Sequence, residues 1–336
     1  MPRSSTLRRA GLAGGIMLVL GALAAAAVGV TLAPVDRTGS PILIDVPRGA
    51  TSESIGDLLY ASGLVRSGRA FAIAARLKRV SGSLQEGEYR LSPAMPLLDI
   101  VDTLARGDVV LRRVTIPEGF TADEIVDGLV AAGIGTRAGL TDLVTGRASH
   151  FSYPFLQEDP QRPLEGYLFP DTYLIPRHLS DRDVIDLFLR RFAAVVVPRW
   201  RETAPERSLR QVIIMASLIE REAKVPSERP VIASVLYNRL ARGMRLEVDA
   251  SVLYALGRHK DVVTFDDLKV DSPYNTYRYE GLPPGPIANP GLAAIAAALQ
   301  PAQTSYLFYV ARADGSHVFS RTFAEHLIAI RKYRGR

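Results

Sequence analysis

The feature that most constrains the fold is an internal repeat in the first half of the chain. The segment VPRGATSESIGDLLYASGL, which begins at Val46, aligns at a constant offset with IPEGFTADEIVDGLVAAGI, which begins at Ile116. Each copy predicts a strand, a Pro/Gly turn, a capped helix start with an acid in the first turn, and an amphipathic helix ended by glycine. The first copy continues through a second helical stretch, Phe71 to Lys78, to a closing strand, Gly87 to Arg90. The chain is therefore predicted to use one strand–helix unit twice.

The N-terminal segment predicts a helix that crosses a membrane once. Ala10 to Val35 contains no charged residue and exceeds the roughly 20 residues that span a bilayer. Arg3, Arg8 and Arg9 precede it, so the positive-inside rule places the N-terminus in the cytoplasm and the remainder outside. The alternative is a cleaved signal peptide, because the Ala24 to Ala27 run offers small residues near a cleavage site.

Composition argues against several classes of function. The 336-residue chain has no cysteine, and its five His residues are scattered, so neither a cysteine metal site nor any other metal or cofactor is predicted. The formal net charge is +6, but basic residues are interleaved with acids along the chain. Because no concentrated basic patch is visible, nucleic acid is not a predicted partner.

A predicted helix carries the first candidate acid. Apolar residues within Val212–Ile219 recur at the three- and four-residue intervals that line one face, which is predicted to be buried. Glu222 lies four residues after Leu218 and so falls on that stripe. Glu220 falls on the other flank, which it shares with Ser217 and which is predicted to be solvated. Helical periodicity therefore favours Glu222, rather than Glu220, as the acid that lies on the buried apolar face.

The end of this helix predicts a raised pKa for Glu222. Pro226 limits the helix, so Glu222 lies in the final turn, where the helix dipole and the apolar surroundings both disfavour ionisation. A carboxyl group that stays protonated can protonate a glycosidic oxygen as its bond breaks through an oxocarbenium-like transition state. The alternative is a structural ion pair with a neighbouring cation, Arg221, Lys224 or Arg229.

A ring-rich loop follows downstream. Asp271 to Gly291 reads DSPYNTYRYEGLPPGPIANPG, which combines Tyr rings, an Asn and several Pro and Gly residues. Tyr faces suit the apolar faces of sugar rings, while hydroxyl and amide groups supply hydrogen bonds. The loop is predicted to line a ligand cleft, and the alternative is an ordinary packed turn.

Several motifs in the same order carry a family resemblance over nearly the whole chain. They are LEGYLFPDTY, ASLIEREAKVPSERPVIASVLYNRL, GMRLEVDASVLYALG, SPYNTYRYEGLPPGPIANPG and HVFSRTFAEH. The sequence resembles the MltG/YceG-like endolytic murein transglycosylases, membrane-anchored enzymes that cut peptidoglycan glycan strands. In that family the second Glu of the motif seen here as Ile219-Glu220-Arg221-Glu222 is the catalytic acid and base, which agrees with the helical phase.

The resemblance implies a lytic reaction. One carboxyl group protonates the bond between N-acetylmuramic acid and N-acetylglucosamine, and then, as a base, activates the muramic acid's own C6 hydroxyl to close a 1,6-anhydro ring. Cutting within nascent strands would limit their length. One Glu suffices for this chemistry, whereas hydrolytic glycosidases ordinarily need two carboxylates. If a second carboxylate faced Glu222 across the cleft, the protein could instead be a hydrolytic muramidase.

Further residues in these motifs are predicted to bind substrate or to hold the cleft together. The candidates for a second carboxylate are Glu165, Asp171 and Asp249. The remaining candidates are Tyr167, Asn238, Arg239, Tyr274, Asn275 and Tyr277. Arg239 has an alternative role as a structural partner of Glu228 or Asp249.

These observations predict an α+β protein with a single N-terminal transmembrane helix, a small LysM-like α/β module and a mixed catalytic domain with a helical core. The predicted boundaries are a cytoplasmic tail over 1–9, the transmembrane helix over 10–35, the LysM-like domain over 36–112 and the catalytic domain over 113–336. The LysM-like assignment comes from the resemblance, and the module either binds N-acetylglucosamine-containing glycan or acts as a spacer.

The resemblance also implies a place in the cell and a set of partners. The protein would lie in the inner membrane with its catalytic domain on the periplasmic side, act on peptidoglycan strands and associate with peptidoglycan synthesis proteins. A membrane-tethered glycan-binding scaffold, in which Glu222 is structural, is the alternative from a different class.

Overall fold

A computed structural model describes residues 4–146, 148–157, 163–204, 206–258, 260 and 263–333. The chain divides into two compact units. Unit 1 comprises residues 1–112 and 176–178, and unit 2 comprises residues 113–175 and 179–336. Both mix helices with short strands, as the predicted α+β class requires.

Unit 1 contains a helical hairpin and a two-stranded sheet. Its elements are α1 (Ser4–Leu32), β1 (Ile42–Val46), α2 (Ser52–Ala61), α3 (Gly68–Leu77), β2 (Gly87–Leu91) and α4 (Leu97–Arg106). β1 and β2 pair antiparallel. Helices α2 and α3 approach closely because two glycines meet there: a Cβ on Gly56 would lie 2.4 Å from the carbonyl oxygen of Gly68. Fully buried Leu59, Phe71 and Tyr89 fill the core between these elements.

The prediction of a transmembrane helix is wrong. Among the residues that the structure describes, no helix has both the length and the apolarity needed to cross a membrane. The prediction counted uncharged residues through Val35, whereas α1 ends at Leu32 and the chain bends directly after it. Ala and Gly also make up much of this segment, and they add length with little apolar surface.

Unit 2 is larger and mainly helical. Its helices are α5 (Ala122–Ala131), α6 (Arg137–Thr145), α7 (Asp181–Thr203), α8 (Leu209–Glu222), α9 (Arg229–Ala241), α10 (Asp249–Leu256), α11 (Leu292–Leu299) and α12 (Phe323–Tyr333). Its strands include β5 (Phe308–Ala311) and β6 (His317–Ser320), which form an antiparallel hairpin. The strands β3 (Leu111–Thr115) and β4 (Thr172–Pro176) pair with each other.

The structure extends the sequence repeat. The order β1, α2, α3, β2, α4 recurs as β3, α5, α6, β4, α7. Thr51 caps α2, and Thr121 caps α5 at the matching position. Gly63 and Gly133 follow the two helices with positive φ angles of 69° and 71°, a conformation that glycine adopts without strain. The matching caps and stops explain why the two helices have the same length.

Helix α8 forms the centre of unit 2. Its residues from Val212 to Ile219 are buried on every side rather than along one face, because α9, α10 and α11 all pack against it. Ser208 caps the helix in a capping box with Gln211. Ala223 takes an extended conformation and ends it. The buried core therefore fixes where Glu222, the last residue of α8, is presented.

Candidate active site

The side chain of Glu222 lines a cleft of about 580 Å³ in unit 2. The cleft is lined by residues from α8, α9, α10, the loops that join them, the β5–β6 hairpin and α12. Three carboxylates face it, those of Glu222, Glu247 and Asp249. Two tyrosines, Tyr277 and Tyr309, line it as well. The arrangement combines acids with hydroxyl donors in a space large enough for part of a polymer chain.

Each oxygen of the Glu222 carboxyl group has its own hydrogen-bond donor. The hydroxyl of Tyr309 donates to Oε2 at 3.1 Å, and the backbone N–H of Ala250 donates to Oε1 at 3.4 Å. Burial raises the pKa of Tyr309 well above its ordinary value, and the adjacent Glu222 raises it further. Tyr309 therefore keeps its proton and acts toward Glu222 as a neutral hydroxyl.

Glu220 is enclosed, and the prediction of a solvated flank is wrong. Only 6% of its side chain is exposed, and Arg229 pairs with its Oε1 at 2.8 Å. The backbone N–H of Gly291 donates to its Oε2 at 2.9 Å. Ser217 on the same flank is fully buried, and its hydroxyl accepts a hydrogen bond from the N–H of Ile287. The loop before α11 covers this side, so of the two acids Glu222 is the one that reaches the cleft.

Asp249 lies in the same cleft as Glu222. It is the first residue of α10, and its Oδ1 accepts a hydrogen bond of 2.5 Å from the hydroxyl of Tyr277. Burial raises the pKa of Tyr277 above its ordinary value, as do its hydrogen bond to Asp249 and the nearby Glu222. The N–H of Ala250, which follows Asp249 directly, is a donor to Glu222. The first two residues of α10 thus supply the second carboxylate of the cleft and an N–H that donates to Glu222.

Arg239 is a structural anchor at the wall of the cleft. Its guanidinium is buried and donates to the carbonyls of Leu307, Arg245 and Leu246. Its acidic partner is Glu247, at 2.8 Å, rather than either of the two acids that the sequence suggested. Glu228 pairs instead with His317, at 2.7 Å.

The two predicted Asn residues hold loops in place. Nδ2 of Asn238 donates to the carbonyls of Thr304 and Tyr306, at 2.9 and 3.0 Å. Nδ2 of Asn275 donates to two carbonyls of the preceding loop, those of Leu268 and Val270. Neither amide is among the groups that line the cleft. Both amides donate to backbone carbonyls, and these hydrogen bonds fix the shape of the loops.

Glu165, Tyr167 and Tyr274 line a different and smaller cavity, of about 40 Å³. Only 8% of Glu165 is exposed. Its carboxyl group accepts hydrogen bonds from the backbone N–H of Ala122, the side-chain amide of Asn289 and, at 3.5 Å, the hydroxyl of Tyr254. Burial raises the pKa of Glu165 to about 7.

Tyr167 and Asp171 make structural contacts away from the Glu222 cleft. The ring of Tyr167 packs against Phe155 and Phe192, with centroids 6.0 and 5.2 Å apart. Asp171 forms an ion pair of 2.6 Å with Arg191. Of the ten predicted site residues, four line the Glu222 cleft: Arg239, Asp249, Tyr277 and Glu222 itself.

Sequence reasoning missed several residues that line this cleft. Tyr309 and Glu247 were not singled out, although both contact predicted residues. Glu247 has a positive φ of 54°, which is uncommon for a residue other than glycine. His317 and His326 also line the cleft, and both lie in the tail motif HVFSRTFAEH. That motif was the one available signal that the C-terminal hairpin contributes to the site. Within the described ranges, no group of three or more His, Asp or Glu side chains could hold a metal ion.

Comparison with known proteins identifies the family. The pattern of the YceG-like family matches residues 44–332. This chain belongs to the YceG-like family. A solved structure of a YceG-like protein from Listeria monocytogenes is 35% identical and aligns with a TM-score of 0.60, covering 87% of this chain and all of that one. The family resemblance drawn from the sequence motifs is thereby confirmed.

Relatives of this YceG-like chain carry a functional name. A Bacillus subtilis protein named endolytic murein transglycosylase is 35% identical over 316 residues, which cover 90% of this chain and 88% of that protein. A Streptococcus pneumoniae protein of the same name is 28% identical over 88% of this chain. The match covers 60% of the streptococcal protein, so this chain spans about three fifths of its length.

Proposed function

We propose that this chain is an endolytic peptidoglycan transglycosylase in which Glu222 is the catalytic acid and base. The observation that carries the proposal is the position of Glu222 at the end of α8, in an open cleft and beside a second carboxylate and two tyrosines. The relatives' name supports peptidoglycan as the polymer and a cut within the strand as the reaction.

The first step breaks the glycosidic bond. Protonated Glu222 gives its proton to the oxygen that joins C1 of N-acetylmuramic acid to N-acetylglucosamine. The C1–oxygen bond breaks, the N-acetylglucosamine portion leaves with a free hydroxyl, and positive charge develops at C1 and the ring oxygen. The carboxylate of Asp249, held by Tyr277, lies in the same cleft and stabilises this charge.

The second step closes a ring within the muramic acid. Glu222, now a carboxylate, accepts the proton of the C6 hydroxyl, and O6 bonds to C1 to form the 1,6-anhydro end. The proton that left Glu222 is thereby replaced, so the enzyme is restored and no water is consumed. The donors on Glu222 support the ionised form that this step needs.

Hydrolysis is the second candidate function, and Asp249 is the observation that favours it. Hydrolytic glycosidases use two carboxylates across the scissile bond, and the cleft holds Glu222 and Asp249. The two functions differ in their products, because hydrolysis adds one water to the new end whereas ring closure does not. The mass of the product distinguishes them.

The experiment is incubation of the whole 336-residue chain with purified peptidoglycan, followed by chromatography and mass spectrometry of the strands. We expect shorter strands that end in 1,6-anhydro-muramic acid. A hydrated end would indicate a muramidase. Intact strands that bind the protein would indicate a glycan-binding scaffold and would contradict the proposal.

We also propose that unit 1 is a LysM-like module that holds the glycan strand. Its order of strand, two helices and strand supports this assignment. Binding of N-acetylglucosamine oligomers, measured by calorimetry, tests it, and a spacer would show none. The substrate further supports action outside the cytoplasm, alongside the proteins that synthesise peptidoglycan, where cutting would limit the length of nascent strands.

A further inference from the structure

We infer that Tyr309 is a positioning residue for Glu222, and that its hydroxyl supports both protonation states that the carboxyl group passes through. This inference rests on the proposed function, in which one carboxyl group is first an acid and then a base. It assigns a reaction-specific role to a residue of the β5–β6 hairpin.

The N–H of Ala250 and the hydroxyl of Tyr309, which both donate to Glu222, differ in what they can do. The N–H of Ala250 can only donate, and it meets Oε1. The hydroxyl of Tyr309 meets Oε2 and can either donate or accept, because a phenol oxygen also carries lone pairs. When Glu222 is ionised, both groups donate to it. When Oε2 carries the proton, the phenol rotates its O–H and accepts, so the contact persists in both states.

A hydroxyl and a cation act differently on a carboxyl group that changes its protonation state. Glu220 shows the contrast two residues earlier, because its Oε1 is paired with the guanidinium of Arg229. A guanidinium has no acceptor and favours only the ionised carboxylate. Such a partner would oppose the protonation that the first step needs. The neutral hydroxyl beside Glu222 is compatible with both steps of the proposed reaction.

Contacts on both sides hold the Tyr309 ring in place. The ring lies edge-on to His317, with centroids 5.3 Å apart, and His317 is fixed by its 2.7 Å contact with Glu228. At the start of the hairpin, Nε of Arg239 donates to the carbonyl of Leu307 at 2.7 Å. The hydroxyl is thus aimed at Glu222 by packing from α9 and β6.

Other charged and titratable groups face the same cleft from each surrounding element. They are Arg221, Lys224, Arg239, Glu247, Asp249, Lys260, Tyr277, His317 and His326. Replacement of Tyr309 by Phe removes one oxygen and leaves every one of these groups unchanged, so a difference between the two proteins reports on the hydroxyl.

The test is the pH profile of strand cleavage by the Tyr309→Phe variant of the whole 336-residue chain. We expect kcat to fall about tenfold, the value for loss of one hydrogen bond to a charged group, with KM changed less than about twofold. The rate falls as pH rises through the pKa of the acid. The hydrogen bond that the hydroxyl donates to the charged carboxylate is stronger than the one it accepts from the neutral carboxyl group, so its loss raises that pKa and the alkaline limb should move to higher pH. The product should still carry the anhydro end.

Two outcomes would overturn the inference: an alkaline limb that stays in place, or a kcat within about twofold of the unmodified protein. Phe keeps the ring contact with His317, and thermal unfolding checks the fold. The position of the limb does not depend on the folded fraction, so lost stability cannot imitate the shift.

The matched control is Tyr306→Phe. Tyr306 precedes β5 and packs on Phe319, but it is not part of the cleft lining. Its kcat and pH profile should match those of the unmodified protein. Failure of the proposed function is recognised separately, because the unmodified protein would then give no anhydro product. Cleavage by the unmodified protein with an unshifted Tyr309→Phe profile would refute only the role of Tyr309.

Discussion

Glu222 and Glu165 are two acids of unit 2 that the sequence motifs nominated, and their surroundings are opposite. Glu222 is half-buried at a helix end, faces an open cleft and accepts hydrogen bonds from a backbone amide and a tyrosine hydroxyl. Glu165 is buried among protein donors in a small cavity. The comparison teaches that a carboxyl group serves catalysis only where substrate can reach it.

Glu165 joins distant segments of unit 2. It accepts hydrogen bonds from the first residue of α5, Ala122, from Asn289 in the loop before α11, and from Tyr254 of α10. Helix α10 also begins with Asp249, which lines the Glu222 cleft. Glu165 therefore holds together segments that frame the cleft, and its contribution is to stability rather than to the chemical step.

The largest expected effect is on turnover in Glu222→Gln. Loss of the proton donor should lower kcat by about 10³-fold, while the free energy of unfolding changes by less than about 1 kcal/mol. The release of anhydro ends and urea unfolding measure the two quantities. Glu165→Gln is the matched control and should retain most of its turnover. Equal losses of turnover in both variants would erase the distinction between the two acids.

The next largest expected effect is a loss of stability in the Glu220→Ala variant. This change leaves Arg229, whose side chain is 13% exposed, without its close acidic partner, and should cost about 4 kcal/mol in urea unfolding. Glu222→Ala, two residues later on the same helix, is the control and should cost much less because its side chain faces the cleft. A Glu220→Ala protein as stable as the unmodified one would show that Glu220 is not enclosed in solution.

The raised pKa of Glu165 should make the free energy of unfolding depend on pH. Its pKa is about 7 in the folded protein against 4.5 for an ordinary Glu, so the folded state binds the proton more tightly. The free energy of unfolding should therefore fall as pH rises from about 4.5 to 7, by about 3 kcal/mol. Urea unfolding across this range measures it, and Glu165→Gln should remove that part of the slope. An identical slope in the variant would mean that Glu165 titrates normally.

The smallest effect concerns the two copies of the repeat. Thr121 forms a capping box with Glu124, whereas Thr51 caps α2 through its side chain alone. Thr121→Ala should cost about 1 kcal/mol, and Thr51→Ala somewhat less. Thermal unfolding measures both. A larger cost at Thr51 would show that the reciprocal Glu124 contact adds nothing.

The sequence predicted local features well, but it did not predict which side chains are buried or contacted by residues far away along the chain. The capped strand–helix units and the end of α8 follow from periodicity, turn residues and proline, which act within a few residues. The burial of Glu220 depends on Gly291, and the hydroxyl that contacts Glu222 comes from Tyr309. Both partners lie far along the chain, and no local pattern encodes such pairs.

The ring-rich loop shows the same limit at closer range. Tyr277 lines the Glu222 cleft, whereas Tyr274, three residues earlier, lines the Glu165 cavity. Asn275 between them is buried and bonds to backbone. The composition of the loop suited a ligand site, but which ring faces which cavity is decided by turns packed against α10.

Cleavage of peptidoglycan in oxygen-18-labelled water tests directly whether Glu222 activates a hydroxyl of the substrate or a water molecule. In our account Glu222 activates the C6 hydroxyl of the substrate, so the new muramic acid ends should form without label and with the anhydro mass. Ends that contain the heavy oxygen and the mass of one added water would contradict it, and would show that Glu222 and Asp249 together activate water.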